Sequence, residues 1–272
     1  MNSVTDVAAQ LRDTQRAFDR VAADYDGPLG NNALIQRMRI QVWRAVDRYV
    51  RPGGRLLDIG CGAGLDAARF ARRGYEVVAT DWSPQMVEHA RRRIADDGLG
   101  GRASVRLVGA HELQQLSGEC FDGVYSDLGP LNCVPDLIAV SRSCALLLKP
   151  RGVVIASVIG RVCPWEWGYY TLRGDRSRAQ LRRQPGSVPV PLYDQIVWTR
   201  YYAPREFYRA FAREFELTHY RGLSVFVPPP YLLRDRFAAA FRLLGWLDDR
   251  LTALPGLRDL GDHFLMVLTR RG

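Results

Sequence analysis

Short apolar runs alternate with helix-spaced apolar positions along much of this chain. Arg55 to Ile59, Glu76 to Thr80, Val105 to Val108, Phe121 to Ser126 and Gly152 to Val158 each read as a strand. The last of these is apolar on both faces, as a parallel strand buried between helices should be. Helical spacing runs from Leu65 to Arg73 and stops at Gly74. It resumes from Pro84 to Ile94, opened by Ser83 as N-cap, and from Asp136 to Leu148, stopped by Pro150. An earlier helix is predicted from about Ala33 to Tyr49, ended by Arg51-Pro52-Gly53-Gly54. Strands separated by helices in this order imply a parallel, doubly wound α/β sheet.

The alternation breaks after Gly160. Residues 161–203 hold Trp, Tyr, Pro and Arg without clear periodicity. A helix from about Arg205 to Glu214 and a strand from about Glu216 to Arg221 follow. A second interruption begins at Val227-Pro228-Pro229-Pro230 and contains a helical stretch from about Arg234 to Leu251. Phe264 to Thr269 closes the chain as a strand. There is no internal repeat and no low-complexity linker, so one domain over 1–272 with two insertions is the simplest organisation.

Composition narrows the function classes. Hydrophobic residues make up 47% of 272 residues, enough for a full core. The longest apolar runs, such as Gly152 to Gly160, are too short to span a bilayer. Met1 to Gln15 lacks the apolar centre of a signal peptide, so a cytoplasmic location is expected. The formal charge is +9, but nearly all of it is arginine, with Lys149 the only lysine. The arginines are scattered apart from Arg91-Arg92-Arg93 and the stretch Arg173 to Arg183, which read as solvated faces. No specific nucleic-acid partner is predicted. Cys61, Cys120, Cys133, Cys144 and Cys163 form no C-x-x-C pair, which argues against disulfides or structural zinc. No His/Asp cluster has metal-ligand spacing, so no metal is expected. Nothing in the pattern speaks to oligomeric state.

The strongest chemical signal is Leu56-Leu57-Asp58-Ile59-Gly60-Cys61-Gly62-Ala63-Gly64, where a strand runs into a helix. Glycines there permit a tight turn and close approach of a ligand to the backbone. Gly62-x-Gly64-x-x-Ala67 also fits a relaxed dinucleotide pattern, which keeps NAD as the alternative cofactor. Asp58 separates the two readings. A carboxylate at the strand end repels a pyrophosphate and suits an ammonium group. Asp81, in Val78-Ala79-Thr80-Asp81-Trp82-Ser83-Pro84, ends the next strand about 20 residues on, where an acid accepts bonds from ribose hydroxyls. Trp82 is then placed to pack against an adenine.

With these motifs the sequence resembles the class I S-adenosylmethionine (SAM)-dependent methyltransferases. The resemblance covers roughly Phe18 to Ser157. It is carried by Asp58 to Gly64, by Asp81-Trp82-Ser83-Pro84, by Phe121-Asp122-Gly123-Val124 and by Leu148-Lys149-Pro150-Arg151-Gly152. The last turn usually reads L-K-P-G-G in that family, so Arg151 is a departure. The resemblance implies a Rossmann-like seven-stranded sheet, mostly parallel with the last strand antiparallel, the two closing strands here forming the reversed pair. It implies a helical cap over 1–50, a cofactor-binding core over 51–160 and substrate-covering insertions over 161–203 and 226–261.

It also implies further cofactor contacts. SAM would meet Asp58, Gly60, Cys61, Gly62 and Gly64 in the turn, with Asp81 and Trp82 beyond it. After the third strand no acid follows Gly109, so the adenine contact falls to Ala110 or His111. Asp127 and Leu128 should line the sulfonium. Tyr25 resembles a tyrosine that covers the cofactor in small-molecule members; simple helix packing is the other reading. Methyl transfer needs a base only if the nucleophile keeps its proton. Asp127 and His263 are the candidates, and His263 reads equally as a structural histidine at a strand start. The aromatic run Cys163 to Tyr170, with Trp165, Glu166, Tyr169 and Tyr170, is expected to roof the acceptor, and Asn132 to sit on its rim; Glu166 reads as the partner of a nearby arginine before it reads as a contact to the acceptor. The expected activity is methyl transfer to a small, apolar or aromatic acceptor. An RNA or protein acceptor is the alternative, as is a cyclase or binding protein that holds SAM without transferring methyl.

Overall fold

The protein is described here by a computed structural model covering residues 7–27, 30–229, 231–232 and 238–272. Helix starts follow their caps. The Asn32 side chain accepts from the Leu34 and Ile35 amides, each at 3.1 Å, and opens α2 (Ala33–Tyr49). Ser83 accepts from the Met86 amide at 3.1 Å and Pro84 takes the first turn of α4 (Pro84–Asp96). Asp136 caps α5 (Leu137–Leu147) in the same way. α1 (Val7–Val21) precedes them and α3 (Leu65–Arg72) follows the glycine turn.

Five strands lie parallel: β1 (Arg55–Ile59), β2 (Glu76–Asp81), β3 (Ala103–Leu107), β4 (Phe121–Ser126) and β5 (Leu148–Ile159). Two more complete a seven-stranded sheet, β8 (Phe215–Leu223) and β9 (His263–Arg270), in the order β3-β2-β1-β4-β5-β9-β8. β9 is antiparallel to both β5 and β8. β8 therefore runs with the first five strands, and only the last strand is reversed, not the closing pair together. The order turns back between β1 and β4, so a crevice opens beyond their carboxyl ends, where ligands bind in open α/β sheets.

Alternation along the strands buries both faces. Leu57, Ile59, Val78 and Val124 join Val140 of α5 and Phe207 of α8 (Pro204–Phe211) on one side. Leu56, Val77, Tyr125 and Ile155 join Val42 of α2, Phe70 of α3 and Ile94 of α4 on the other.

The stretch 161–203, aperiodic in sequence, folds into α6 (Pro164–Leu172), α7 (Arg176–Gln180) and a hairpin of β6 (Ser187–Leu192) and β7 (Gln195–Arg200). Pro189 and Pro191 hide the alternation of β6, and a two-stranded ribbon has open edges where missing N–H groups are tolerated. The hairpin docks on α1: the Trp198 amide donates to Thr14 Oγ1 and the Trp198 indole to Asp13, both at 3.1 Å. The helical stretch predicted from Arg234 appears as α9 (Ala238–Leu251); its residues 234–237 lie outside the described residues, as does Pro230.

β5 begins at Leu148, earlier than its apolar run suggests, and carries a register shift opposite Phe121 and Gly123. Arg151 sits there at φ 61°, in the left-handed region, and is exposed. A non-glycine residue in that region costs about 1–2 kcal/mol, partly offset by the roughly 0.5–1 kcal/mol of extra chain entropy a glycine loses on folding. Arg151→Gly should therefore stabilise the protein by about 1 kcal/mol. Urea unfolding of the two proteins checks the sign; a loss of stability would mean that Arg151 makes contacts worth more than its strain.

Candidate active site

The glycine turn is fixed from β2. The Gly60 and Cys61 amides both donate to Thr80 O, at 2.8 and 2.9 Å. The Gly62 amide donates to Asp81 Oδ2 at 2.9 Å, and the Ser83 amide to Asp81 Oδ1 at 2.9 Å. Asp81 thus holds the turn while keeping lone pairs for other donors. Gly60 lies at φ 75°, and a Cβ there would stand 2.3 Å from Pro130. Only glycine lets the turn pass beneath the segment that follows β4.

Over this turn lies a cleft of about 920 Å³, its open mouth included. Gly60, Gly62, Asp81 and Trp82 form its floor, and Ala110 and His111 one end. Leu128, Cys133 and Val134, after β4, and Ile159, at the end of β5, form another wall. Its lining also includes Leu11, Thr14, Gln15 and Phe18 of α1, Tyr25, Ser83, and Val197 and Thr199 of β7. α1 is latched across the mouth. Gln15 donates to Trp82 O at 2.9 Å, and Asp19 accepts from Ser83 Oγ at 2.5 Å. Tyr25 stands over Gly62, whose added Cβ would lie 3.2 Å from its ring, and burial pushes its phenol up to about 12. Trp82 meets His111 edge-on at 4.6 Å between centroids, and burial lowers the imidazole pKa.

Beneath the turn is a buried acidic chamber. Asp58 does not face the cleft; it is buried beside its register neighbour Tyr125, whose hydroxyl donates to it at 2.7 Å. Burial and then Asp66 push its carboxyl well above the usual range. Asp66 accepts from Arg39 at 2.5 Å and from the Trp43 indole at 2.7 Å. Burial still carries Asp66 up to about 6 against the pull of Arg39, with Asp127 adding to the rise. Burial opposes the Arg39 charge, but Asp66 and Asp127 outweigh it and hold the guanidinium above its ordinary value. Asp127 Oδ1 accepts from Ser157 Oγ at 2.6 Å and from the Leu128 amide at 2.8 Å. Its Oδ2 is buried with no partner among the described residues. Leu128 itself is held at φ 62°, a strained conformation of the kind that gathers at functional sites.

The structure brings Tyr25, Gly60, Gly62, Asp81, Trp82, Ala110, His111 and Leu128 to one cleft. Asp58, Cys61, Gly64 and Asp127 stand behind or beside it. The expected acceptor residues lie elsewhere. Asn132 is fully buried, accepting from the Ile159 amide and donating to the Ile159 and Arg200 carbonyls. Trp165 donates to Val225 O at 3.0 Å. Tyr169 and Tyr170 lie under Arg173 and Arg178, at 4.1 and 5.5 Å. Glu166 accepts from Arg182 at 2.5 Å and from Tyr231 at 2.8 Å. His263 pairs with Asp262 at 3.1 Å. Cys163, Glu166 and Asp262 could together reach one metal ion, but Arg182 already occupies both carboxylates. A cap over 1–50 and a covering insertion over 161–203 were expected, but the wall residues that α1 and β7 contribute, Leu11, Thr14, Gln15, Phe18, Val197 and Thr199, were not singled out. The amphipathic spacing of Leu11, Thr14, Gln15 and Phe18 was the available signal for α1. Arg39 was also missed; a lone arginine within a helix carries no signal of burial.

This architecture is that of SAM-dependent methyltransferases, and the chain belongs to that family. The family described as "Methyltransferase domain" matches residues 56–152. A ubiquinone biosynthesis O-methyltransferase of Methylocella silvestris is 31% identical over 215 residues, covering 72% of this chain and 77% of that one. The same-named enzyme of Xanthomonas campestris pv. campestris is 33% identical over 153 residues, 54% of this chain; the match spans only 62% of that protein's length. In fold, the chain resembles the CcbJ methyltransferase of Streptomyces caelestis, with TM-score 0.63 and 16% identity over 96% of this chain and 99% of that one. The [4+2]-cyclase SpnF is similar to nearly the same degree, with TM-score 0.59 and 17% identity over 97% and 95%. Among the described residues no helix is long and apolar enough to cross a membrane.

Proposed function

We propose that this protein transfers the methyl group of SAM to a small, largely apolar acceptor, at an oxygen. The observation that carries the reading is one cleft with a polar floor at Asp81 and Gly62 and apolar walls at Leu11, Phe18, Val134, Ile159 and Val197. The names of the Methylocella and Xanthomonas relatives favour oxygen as the nucleophile.

Three features fit the cofactor. Asp81 accepts two backbone bonds and has capacity left for the ribose hydroxyls. Gly62 leaves open, under Tyr25, a space that a side chain would crowd. Among the described residues the chamber holds Asp58, Asp66 and Asp127 against the single cation Arg39, and Asp127 Oδ2 has no partner. An excess of buried carboxylate suits a ligand bearing an ammonium and a sulfonium, and it disfavours a pyrophosphate. Bound SAM supplies an electrophilic methyl carbon.

The residues then have modest tasks. Asp81 and the turn fix the adenosyl end, Leu128 stands at the wall beside the reacting centre, and α1 with β7 excludes water. Asp127 serves the cationic ligand rather than the acceptor, since Ser157 and Leu128 already hold one of its oxygens. His263, turned to Asp262, has no part in the reading. The SpnF likeness leaves a cyclase as a second reading, for the same cleft.

Calorimetry with S-adenosylhomocysteine and with NAD tests the cofactor, beside methyl-transfer assays on a panel of phenols. S-adenosylhomocysteine should bind and NAD should not. Asp81→Ala should weaken S-adenosylhomocysteine by about 1.5–3 kcal/mol, the loss expected for hydrogen bonds to a charged group. Unchanged affinity in that variant would remove Asp81 from the cofactor site. Binding without any methylated product would favour the cyclase.

A further inference from the structure

The hydroxyls lining the cleft are not equivalent. Thr14 Oγ1 is engaged by the Trp198 amide at 3.1 Å. Ser83 Oγ donates to Asp19 and caps α4. Thr199 Oγ1 is different. It is buried at 4% exposure, and the bond it makes inside its own strand reaches Val197 O at 3.5 Å, the limit of a hydrogen bond. Cys133 is its neighbour on the same wall, and both residues line the cleft. A thiol is a weak partner, so the hydroxyl keeps most of its capacity.

Around this pair the wall is apolar: Val134, Ile159 and Val197. The pair is also held in place. Asn132, next to Cys133, takes the Ile159 amide with its oxygen and gives its two donors to Ile159 O and Arg200 O, so β5, β7 and the segment after β4 are tied at one buried side chain. Arg200 adjoins Thr199. Gly160 and Tyr202 continue the tie as an isolated parallel bridge. An underused hydroxyl, rigidly mounted on a dry wall, is how a site selects ligands carrying one matching polar group.

We infer that Thr199, beside Cys133, is a specificity-determining anchor that binds a hydroxyl or carbonyl of an otherwise apolar acceptor. Asn132 is a positioning residue for it. This rests on the proposed methyltransferase reading of the cleft. It narrows the acceptor class to compounds bearing a polar group in addition to their apolar body, and it disfavours plain hydrocarbons. Because Thr199 sits on β7, the hairpin rather than the glycine turn sets the selection.

The test uses the full chain saturated with S-adenosylhomocysteine and two fluorescent probes of nearly equal shape, 2-naphthol and 2-methylnaphthalene. The native protein should bind 2-naphthol about fivefold or more tightly than 2-methylnaphthalene, as one neutral hydrogen bond provides. Thr199→Val, nearly isosteric, should abolish that preference, and Thr199→Ser should retain it. S-adenosylhomocysteine affinity should be the same in all three proteins. Equal binding of the probes to the native protein, or a preference that survives in Thr199→Val, overturns the anchor and leaves the methyltransferase reading standing. A fall in S-adenosylhomocysteine affinity in Thr199→Val overturns it by assigning the hydroxyl to the cofactor. Binding of S-adenosylhomocysteine with no binding of either probe removes the apolar-acceptor reading, and the anchor with it.

Discussion

Arg182→Ala should lower the unfolding free energy by about 3–5 kcal/mol, the cost of removing one partner from a buried ionic network. Arg182 makes five hydrogen bonds from its three nitrogens. Its Nε donates to Glu166; one terminal nitrogen donates to Gly160 O and Asp262 O; the other donates to Tyr231 and to Asp262 Oδ1. Glu166, Asp262 and His263 around it are all buried. Without the guanidinium two carboxylates face each other in a low dielectric. Arg182→Lys should recover only part of the loss, because a point charge with three donors cannot cover that fork. The network also shapes the acid limb of stability. Burial would raise the Asp262 pKa, but Arg182 and His263 overcome it and hold the carboxyl well below its ordinary value. A depressed folded pKa contributes stability above the unfolded value of about 4, and that contribution is lost as pH falls further. The variant should show less of that acid-linked loss. Urea unfolding at pH 7 and pH 3 measures both effects. S-adenosylhomocysteine affinity should survive where the fold does, because none of these side chains lines the cleft.

That network explains part of what sequence could and could not reveal. Glu166 between two tryptophans allows an acceptor contact or an arginine partner in a linear reading, and in space it is one leg of an ion network with Arg182, a partner 16 residues away that sequence does not single out. β1, β2 and β5 were readable because a strand buried on both faces leaves an apolar run, whereas β3, at the sheet edge and buried on one face, begins at Ala103, two residues before its expected start. The floor of the cleft was readable for another reason. Gly60, Gly62 and Asp81 are demanded by local backbone geometry, and local geometry is written in consecutive residues. The wall from β7 depends on a hairpin whose alternation two prolines obscure. The lid from α1 depends on contacts such as Asp13 and Thr14 with Trp198, across more than 180 residues. Residue type predicts neither. Asp58 shows the same limit at closer range: its motif is legible, but only the register that sets it beside Tyr125 shows it turned beneath the floor.

The buried chamber beneath the turn yields the second large effect. Arg39→Met removes the cation that, among the described residues, is set against Asp58, Asp66 and Asp127, while keeping an apolar side chain of similar reach. The deficit should depend on pH, and its sign follows from Asp66. Burial raises that carboxyl to about 6 in the folded protein, above an unfolded value of about 4. A group whose folded pKa is raised this way costs stability as pH climbs from the lower value to the higher, and nothing more beyond it. In the native protein the loss ends near pH 6 because Arg39 restrains the shift. Without Arg39 the folded pKa of Asp66 rises further, so the loss continues through neutrality. Near pH 5.5 Asp66 can take a proton and escape much of the penalty. At pH 8 it must either stay charged and unpaired or bind a proton at a cost, and the deficit should reach about 3 kcal/mol. Urea unfolding of both proteins at pH 5.5 and pH 8 gives the comparison. Adding Asp66→Asn to Arg39→Met should flatten the pH dependence and restore part of the stability, because the uncompensated charge is then gone. An equal deficit at both pH values would mean that Arg39 acts by packing α2 against α3, and not as the counter-charge of the chamber.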